Sequence, residues 1–279
     1  MGSLEPTTEA GRQGLAALLA EPGRALIALD FDGTLAPIVP DPDAARAHPG
    51  VRPAFDRLSG LLGRIAVVTG RPAQVAVNYG GLADMPGLVV LGHYGLERWS
   101  EGDLQAPADD EGVAVVRRRL PELLRELGAA DGTGIEDKGR SLAVHVRRAG
   151  DPVAAMAVVE PALRALASDT GLVVEPGRMV LELRPAGADK GAALRSLVDE
   201  LAPSAVVFVG DDLGDLAAFT AVDELRADGL PGLLVCSGST EVTELADRAD
   251  LVVDGPAGVV EFLESLADAL VSPAPPPGS

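Results

Sequence analysis

The sequence predicts an α/β protein: a doubly wound parallel-sheet core interrupted by a smaller α+β domain. Short apolar runs alternate with segments of helical periodicity at both ends of the chain, as in parallel sheets covered by helices on both faces. From about Asp109 this alternation gives way to two successive units of one helix and two strand-like runs. We therefore expect a core domain from residues 1–108 and 186–279, with residues 109–185 inserted as a smaller domain that covers one edge of it as a cap.

The first half of the core alternates strands and helices with short links. Strands are predicted at "RALIALD", "RIAVVTG" and "GLVVLG", and helices at "VRPAFDRLSGLLG" and "RPAQVAVNYGG". Gly63 ends the first of these helices, and Pro72 suits the first turn of the second because no partner is needed there for its missing N–H. The β-α-β-α-β order implies an open parallel sheet.

The insert repeats one pattern. Its first unit is the helix "DEGVAVVRRRLPELLRELG", with a kink expected at Pro121, followed by the strand-like runs "GTGIEDKG" and "SLAVHVRR". The second unit is the helix "DPVAAMAVVEPALRALASDTG", followed by "LVVEPG" and "RMVLELRP". Two such units predict a small antiparallel sheet with helices on one face.

The core pattern resumes at Asp189. Helices are predicted at "DKGAALRSLVDELA", "LGDLAAFTAVDELRADG" and "PAGVVEFLESLADALV", and strands at "AVVFVGDD", "LPGLLVC" and "ADLVVDG". The tail "SPAPPPGS" is expected to be disordered.

The composition excludes several classes of function. Lys plus Arg number 23 against 42 Asp plus Glu, a net charge of −19 that disfavours nucleic-acid and anionic-membrane partners. The single cysteine, Cys236, rules out an intrachain disulfide framework and is expected to be a buried strand residue. The chain has neither the start of a secretory signal nor an apolar run long enough for a membrane span. We expect a soluble, cytoplasmic protein, and a monomer rather than an oligomer.

Polar residues stand where the predicted core strands end. Asp30 and Asp32 follow the first strand, Thr69 follows the second and Gly210–Asp212 follow the fourth, while Lys190 opens the helix before that strand. In an open parallel sheet these ends meet at one crevice, where ligands bind. Residues two apart in an extended segment project to the same side, so Asp30 and Asp32 share the site.

A cluster of carboxylates at one edge of a sheet needs a cation, because like charges repel and otherwise stay partly protonated. Oxygen ligands without a His or Cys cluster favour a hard metal ion, with Mg²⁺ as the first choice. Taken alone, "DFDG" is also compatible with an Asp-rich turn, and "GDDLGD" with a strand-to-helix loop and its N-cap acid. Their occurrence in order with Thr69 and Lys190 favours a catalytic site.

These motifs, in this order, resemble those of the haloacid-dehalogenase-like (HAD) hydrolase superfamily. The four matching signatures are D-x-D-G-T at Asp30–Thr34, the hydroxyl residue Thr69, the lysine Lys190 and the acidic G-D-D at Gly210–Asp212. Four longer segments resemble those of trehalose-6-phosphate phosphatases: "DFDGTLAPIVPDPDAARAHP", "LGHYGLE", "IEDKGRSLAVHVR" and "MVLELRPAGADKGAAL". The resemblance therefore covers both the core and the insert.

The resemblance implies a Mg²⁺-dependent phosphatase that hydrolyses trehalose 6-phosphate, the last step of trehalose biosynthesis. Asp30 would attack phosphorus to form an aspartyl-phosphate. Asp32 would protonate the departing sugar oxygen and then take a proton from the hydrolytic water. Thr69 would hydrogen-bond a phosphoryl oxygen, and Lys190 would neutralise charge on the phosphoryl group and Asp30.

The resemblance also implies a metal-binding set of acids. Its members are the side chains of Asp30 and Asp211 and the backbone carbonyl of Asp32. Asp212 or Asp215 would orient these ligands without binding the metal directly. The metal loop departs from the family pattern at Gly214 and Leu216, where Thr and Glu are common, and this departure concerns the supporting residues rather than Asp211.

Sugar recognition is expected in the insert, since a cap can exclude water and contact the non-reacting sugar. Carboxylates and Lys, Arg or His donors match sugar hydroxyls. The substrate-binding candidates are Asp30, Phe31, Asp32, Gly33 and Arg71 in the core, His93 and Glu97 in the linking segment, and Glu136, Lys138, His145, Arg178 and Glu182 in the insert. Arg71 could equally be a surface residue, His145 a structural histidine, and Glu182 a cross-strand partner of Arg178.

Three other functions remain compatible with the sequence. The first is a phosphatase for another sugar phosphate, such as sucrose phosphate or a glycosyl-glycerate phosphate. The second is a non-catalytic regulatory partner of a synthase, against which the retention of Asp30, Asp32, Lys190 and Asp211 argues. The third is a phosphoryl-transferring mutase, against which the large insert and the trehalose-type segments argue.

Overall fold

Two β-sheets and the helices that cover them make up the computed structural model, which describes residues 4–39, 41–108, 110–177, 179–238 and 243–272. The strands are β1 (Leu26–Leu29), β2 (Arg64–Val68), β3 (Leu88–Gly92), β4 (Glu97–Ser100), β5 (Asp103–Gln105), β6 (Gly134–Asp137), β7 (Leu142–His145), β8 (Leu172–Gly177), β9 (Val180–Pro185), β10 (Val206–Gly210), β11 (Gly232–Gly238) and β12 (Leu251–Asp254). The helices are α1 (Glu9–Ala20), α2 (Val51–Leu58), α3 (Ala73–Gly80), α4 (Glu111–Glu126), α5 (Pro152–Thr170), α6 (Lys190–Leu201), α7 (Leu216–Ala227), α8 (Glu244–Arg248) and α9 (Gly255–Val271).

The chain divides into two units. One, called the core unit below, comprises Met1–Gln105 and Asp189–Ser279; the other, called the insert, is Ala106–Ala188. Residues 273–279 of the tail expected to be disordered, and Arg178, lie outside the described residues. Among the helices of the described ranges, none has the length and apolar character needed to cross a bilayer.

The sheet of the core unit confirms the predicted doubly wound fold. Its order is β12-β11-β10-β1-β2-β3-β4-β5, and the first six strands of that order are parallel. Every residue of β1 is buried, and alternate residues face opposite helical layers. Leu26 and Ala28 pack with α6, α7 and α8, whereas Ile27 and Leu29 pack with α1, α2, α3 and α9. The chain reverses direction across the sheet at β1, which places a topological switch point between β1 and β10.

An antiparallel hairpin, β4–β5, extends this sheet and was not predicted from the sequence. Its two-residue turn has φ of 51° at Glu101 and 87° at Gly102, as a type I′ hairpin turn requires. The usual sequence signal for this turn is Asn-Gly or Asp-Gly, so the pair Glu-Gly did not predict a hairpin. The helices α1 and α8 were also not predicted.

The insert is a four-stranded antiparallel sheet in the order β6-β7-β9-β8, as its two helix-strand-strand units predicted. Leu142, Val144, Leu181 and Leu183 pack against α4 and α5 in a separate apolar core. Helix α4 continues through Pro121. On the other face of the sheet, cross-strand pairing sets Glu136, Ala143, Glu182 and Glu175 in one row. This polar face of the insert carries most of its candidate residues.

Candidate active site

Two buried acids meet at the carboxyl ends of β1 and β10. Asp30 follows β1 directly, and its backbone N–H donates to the Val209 carbonyl oxygen of β10 at 2.9 Å. Asp211 follows β10, and β1 and β10 are paired so that Leu29 lies opposite Val209. Asp30 is 3% exposed and Asp211 is 7% exposed. Strand pairing therefore brings together acids that are 181 residues apart in the sequence.

Lys190 links Asp30 to a third acid. Its Nζ lies 2.7 Å from Asp30 Oδ1 and 2.8 Å from Asp215 Oδ1. The other Asp215 oxygen, Oδ2, accepts from the backbone N–H groups of Asp211 at 2.9 Å and of Asp212 at 3.2 Å. Asp215, which is fully buried, thus fixes both the lysine and the loop that carries Asp211. The Asp212 side chain instead accepts from the Gly214 N–H at 2.9 Å.

The acids outnumber the nearby positive charge. One carboxylate oxygen each from Asp30, Asp211 and Asp215 lie within 4.8 Å of one another. Burial raises the pKa of Asp30 well above its usual value, against the opposing effect of Lys190. Burial and the neighbouring Asp215 and Asp212 charges raise the pKa of Asp211 to about 8. A cation in this cluster would relieve the repulsion and lower both pKa values.

The donor chemistry of this cluster fits a metal ion. It offers carboxylate oxygens, which are the ligands preferred by hard divalent cations such as Mg²⁺. Both oxygens of Asp215 are already bonded, to Lys190 and to two backbone N–H groups, so Asp30 and Asp211 are the acids better able to ligate an ion.

A glycine turn packs the D-x-D-G-T segment against Asp211. Gly33 has φ of +80°, and a Cβ built there would lie 1.9 Å from Asp211 Oδ2. Only glycine fits both this conformation and this close approach. Thr34 Oγ1, which is fully buried, donates to Asp211 Oδ1 at 3.4 Å.

Arg71 reaches the crevice and binds Asp32. Its Nε and Nη2 donate to Asp32 Oδ2 at 2.6 Å and Oδ1 at 2.7 Å, a bidentate pair that fixes the carboxylate plane. The guanidinium also lies 5.3 Å from the centroid of the Tyr79 ring and 5.8 Å from that of Phe31. Thr69 Oγ1 accepts from the Arg71 N–H at 3.1 Å, so Thr69 and Arg71 share one turn after β2. Phe31 is fully buried in the core.

The segment after β3 supports this turn. The backbone N–H of His93 donates to Arg71 O and that of Tyr94 to Thr69 O, each at 2.9 Å. His93 and Tyr94 have φ of 48° and 59°, a left-handed conformation that non-glycine residues adopt at a cost. Glu97 Oε2 accepts from the Ala73 N–H at 2.9 Å and so caps α3. His93 is buried, and its role in binding substrate stays a prediction.

In the insert, Glu182 is held by two partners. Its Oε1 accepts from Ser141 Oγ at 2.5 Å, and its Oε2 lies 2.7 Å from Lys138 Nζ. Ser141 and Glu182 are both buried. Ser141 was not among the predicted residues, because a lone serine beside a strand carries no recognisable signal.

A second acid of the polar face, Glu136, pairs with His145. Glu136 Oε2 and His145 Nε2 are 2.6 Å apart, and Arg147 Nη2 is 2.8 Å from His145 Nδ1. Arginine has only donors, so Nδ1 must accept, and we assign the ring proton to Nε2, which donates to Glu136. His145 therefore orients Glu136.

The fold resembles that of a solved haloacid dehalogenase-like hydrolase from Bacteroides thetaiotaomicron, with a TM-score of 0.63, 19% identity, and coverage of 87% of this chain and 99% of that one. A family model described as trehalose-phosphatase matches residues 28–252, and the chain belongs to that family. A trehalose-phosphate phosphatase of Mycobacterium avium (strain 104) is 36% identical over 251 residues, which cover 86% of this chain and 61% of that protein. This chain thus spans less than two thirds of that relative's length.

Two solved structures show the same fold. One is the C-terminal domain of the C. albicans trehalose-6-phosphate phosphatase, with a TM-score of 0.74, 23% identity, and coverage of 96% of this chain and 99% of that one. The other is the C-terminal domain of a Candida albicans trehalose synthase regulatory protein, with a TM-score of 0.67, 16% identity, and coverage of 95% and 100%. Because the fold occurs in both, the site residues must distinguish an enzyme from a regulator.

Proposed function

We propose that the protein is a Mg²⁺-dependent phosphatase that hydrolyses trehalose 6-phosphate to trehalose and phosphate, the last step of trehalose biosynthesis, in the cytoplasm. The observation that carries this proposal is the buried Asp30–Lys190–Asp215 network beside Asp211, in a chain of the trehalose-phosphatase family. The name of its Mycobacterium avium relative supports the choice of substrate.

Asp30 is the proposed nucleophile. One of its carboxylate oxygens would attack phosphorus as the bond from phosphorus to the sugar oxygen breaks, giving an aspartyl-phosphate. Lys190, already 2.7 Å from Asp30, and the Thr69 hydroxyl would stabilise charge on the phosphoryl oxygens. A Mg²⁺ ion held by Asp30, Asp211 and the Asp32 carbonyl would add positive charge at the same point.

Asp32 is the proposed proton carrier. It would give a proton to the departing sugar oxygen and then take one from the water that attacks the aspartyl-phosphate, which frees phosphate and restores Asp30. In this structure Arg71 fixes the plane of the Asp32 carboxylate by bonding both of its oxygens, so one of these two contacts has to open before Asp32 can face the leaving group.

The polar face of the insert is proposed to recognise the sugar. Lys138 keeps N–H donors beyond its bond to Glu182, and Glu136 is oriented by His145. Donors and acceptors that are fixed by neighbours suit the many hydroxyls of a disaccharide. Arg178 stays a candidate from the sequence alone.

The regulatory alternative rests on the similarity in fold to the Candida regulatory domain. A binding module has no need for a lysine buried between two acids, since burying these charges is costly without a chemical use. Asp30, Asp32, Lys190 and Asp211 are all present, and this favours the enzyme.

The test is phosphate release by the purified chain from a panel of trehalose 6-phosphate, sucrose 6-phosphate, a glycosyl-glycerate phosphate and a small aryl phosphate, with Mg²⁺ or with a chelator. We expect preference for trehalose 6-phosphate, loss with chelator, and loss in Asp30→Asn but not in the matched control Asp199→Asn on the exposed side of α6. Preference for another sugar would refute the substrate, and unchanged release by Asp30→Asn would refute the mechanism.

A further inference from the structure

Ser237 is a buried polar residue next to the site. It lies near the carboxyl end of β11 and is 1% exposed. Its Oγ donates to the backbone carbonyl oxygen of Gly33 at 2.7 Å, across 204 residues of sequence. None of the sequence motifs includes this serine.

Gly33 is the residue that packs the nucleophile turn against Asp211. Its N–H donates to Ala36 O at 2.7 Å, and its carbonyl accepts from Ser237, so both of its backbone polar groups are bonded. The Gly33 backbone lies directly against the Asp211 carboxylate. Pairing of Gly210 with Cys236 sets Ser237 on β11 beside Asp211 at the end of β10.

Ser237 therefore fixes the turn beside the loop that carries Asp211. The turn carries Asp30 and Asp32, so its position sets the spacing between Asp30 and Asp211. A hydrogen bond from a neutral hydroxyl holds the turn in place without adding charge.

We propose that Ser237 is a positioning residue that fixes the spacing between Asp30 and Asp211, and through it both Mg²⁺ affinity and the rate of phosphoryl transfer. This inference rests on the proposed function. The hydroxyl is buried and already bonded to the Gly33 carbonyl oxygen, so its loss should act on kcat and on metal binding and leave the KM for the phosphate ester nearly unchanged.

The test compares Ser237→Ala with Ser204→Ala. Ser204 makes the same kind of bond, from Oγ to the Glu21 carbonyl oxygen at 3.1 Å, but lies just before the amino end of β10. Two readouts are needed: steady-state kinetics with trehalose 6-phosphate and a small aryl phosphate, and calorimetric titration of the metal-free protein with MgCl₂.

For Ser237→Ala we expect kcat to fall about tenfold with both esters and the Kd for Mg²⁺ to rise about tenfold, as loss of one hydrogen bond predicts. KM should change less than about twofold, and Ser204→Ala should match the wild type. Ser237→Cys keeps the size of the side chain but is a weaker donor, so its kcat and Kd for Mg²⁺ should lie between those of the wild type and Ser237→Ala. If Ser237→Ala does not fold, Ser237→Cys tests the inference in its place.

Wild-type kcat and Mg²⁺ affinity in Ser237→Ala, or in Ser237→Cys if the former does not fold, would overturn the inference. So would equal losses in Ser237→Ala and Ser204→Ala, since those would show a general effect of stability. A wild-type protein that binds Mg²⁺ but hydrolyses no ester would refute the proposed function, and the calorimetric comparison would still decide the role of Ser237. A wild-type protein that does not bind Mg²⁺ would overturn both.

Discussion

At the scale of single residues, the charged groups of the core site are held in pairs. Lys190 makes ion pairs with both Asp30 and Asp215, and the Arg71 guanidinium makes a bidentate ion pair with Asp32. Each pair fixes one of the two carboxylates on which the proposed mechanism depends. The two clamps differ in exposure, since Lys190 is buried and Asp32 remains a third exposed.

Arg71 is expected to matter through its shape as well as its charge. In Arg71→Lys a point charge replaces the planar fork, and we expect kcat to fall about tenfold; in Arg71→Met we expect about a hundredfold loss. The measurement is kcat at saturating Mg²⁺. The control is Arg46→Lys, because Arg46 lies 4.2 Å from the same Tyr79 ring but bonds to the carbonyls of Asp43 and Ala45. Equal losses at both arginines would contradict the proposed role.

The sequence motifs indicated which acids and which lysine lie together, but they did not indicate which neighbouring side chains bond to them. Asp30, Asp211 and Lys190 were predicted to lie together because strand ends in a parallel sheet converge. The choice between Asp212 and Asp215 stayed open, since spacing along a loop does not show which side chain turns inward; in the structure Asp215 bonds to the lysine and Asp212 caps its own loop. Ser237 could not be found at all, because its bond joins residues that only the folded sheet brings together.

At the scale of elements, hydrophobic periodicity predicted the buried core strands and most helices, but it did not predict the β4–β5 hairpin. The hairpin strand β5 is exposed at all three residues and therefore shows no apolar alternation. Its partner β4 matters to the site nonetheless, because Glu97 on this strand caps α3, the helix that follows the Thr69–Arg71 turn.

Substitutions in the β4–β5 turn are expected to change the free energy of unfolding in both directions. Glu101 has φ of 51°, which asparagine tolerates better, so Glu101→Asn should raise the free energy of unfolding by about 0.5 kcal/mol. Gly102→Ala should lower it by about 1 kcal/mol. A Cβ at Gly102 would meet no atom within 4 Å, so this loss would report backbone strain alone. Urea unfolding measures both, and a stabilising Gly102→Ala would contradict the assignment of the turn.

The polar face of the insert is expected to control KM for the sugar phosphate. Ser141→Ala removes the bond that orients Glu182, and with it Lys138, so the KM for trehalose 6-phosphate should rise about tenfold. Hydrolysis of a small aryl phosphate should not change, because that ester has no sugar to recognise. The control in the same unit is Glu160→Gln, which breaks only a helical pair with Arg164. Equal losses with both esters would argue against a role in recognition.

At the scale of the whole molecule, an acidic protein must bind an anionic ester. The net charge of −19 repels phosphate at long range, so the site has to be locally cationic. Lys190 and Arg71 supply two positive charges, but each is already paired with acids. A bound divalent cation would offset two of the negative charges that these side chains leave uncompensated, which is why metal, pH and stability should be linked.

Stability of the metal-free protein is therefore expected to fall as the pH rises. The pKa of Asp211 is about 8 in the folded protein against 3.8 as its ordinary value, and burial shifts that of Asp30 in the same direction. Between these values the folded protein holds a proton that the unfolded chain has released, so the free energy of unfolding decreases with pH. After discounting for relaxation around these acids, we expect the Tm in chelator to drop by about 5 °C from pH 5.5 to 7.5.

Saturating Mg²⁺ binds the ionised acids and should remove this drop in Tm, and Asp211→Asn should make the drop smaller in the absence of metal. A Tm that stayed level or rose with pH in chelator would show that these acids are ionised in the folded protein even without a cation.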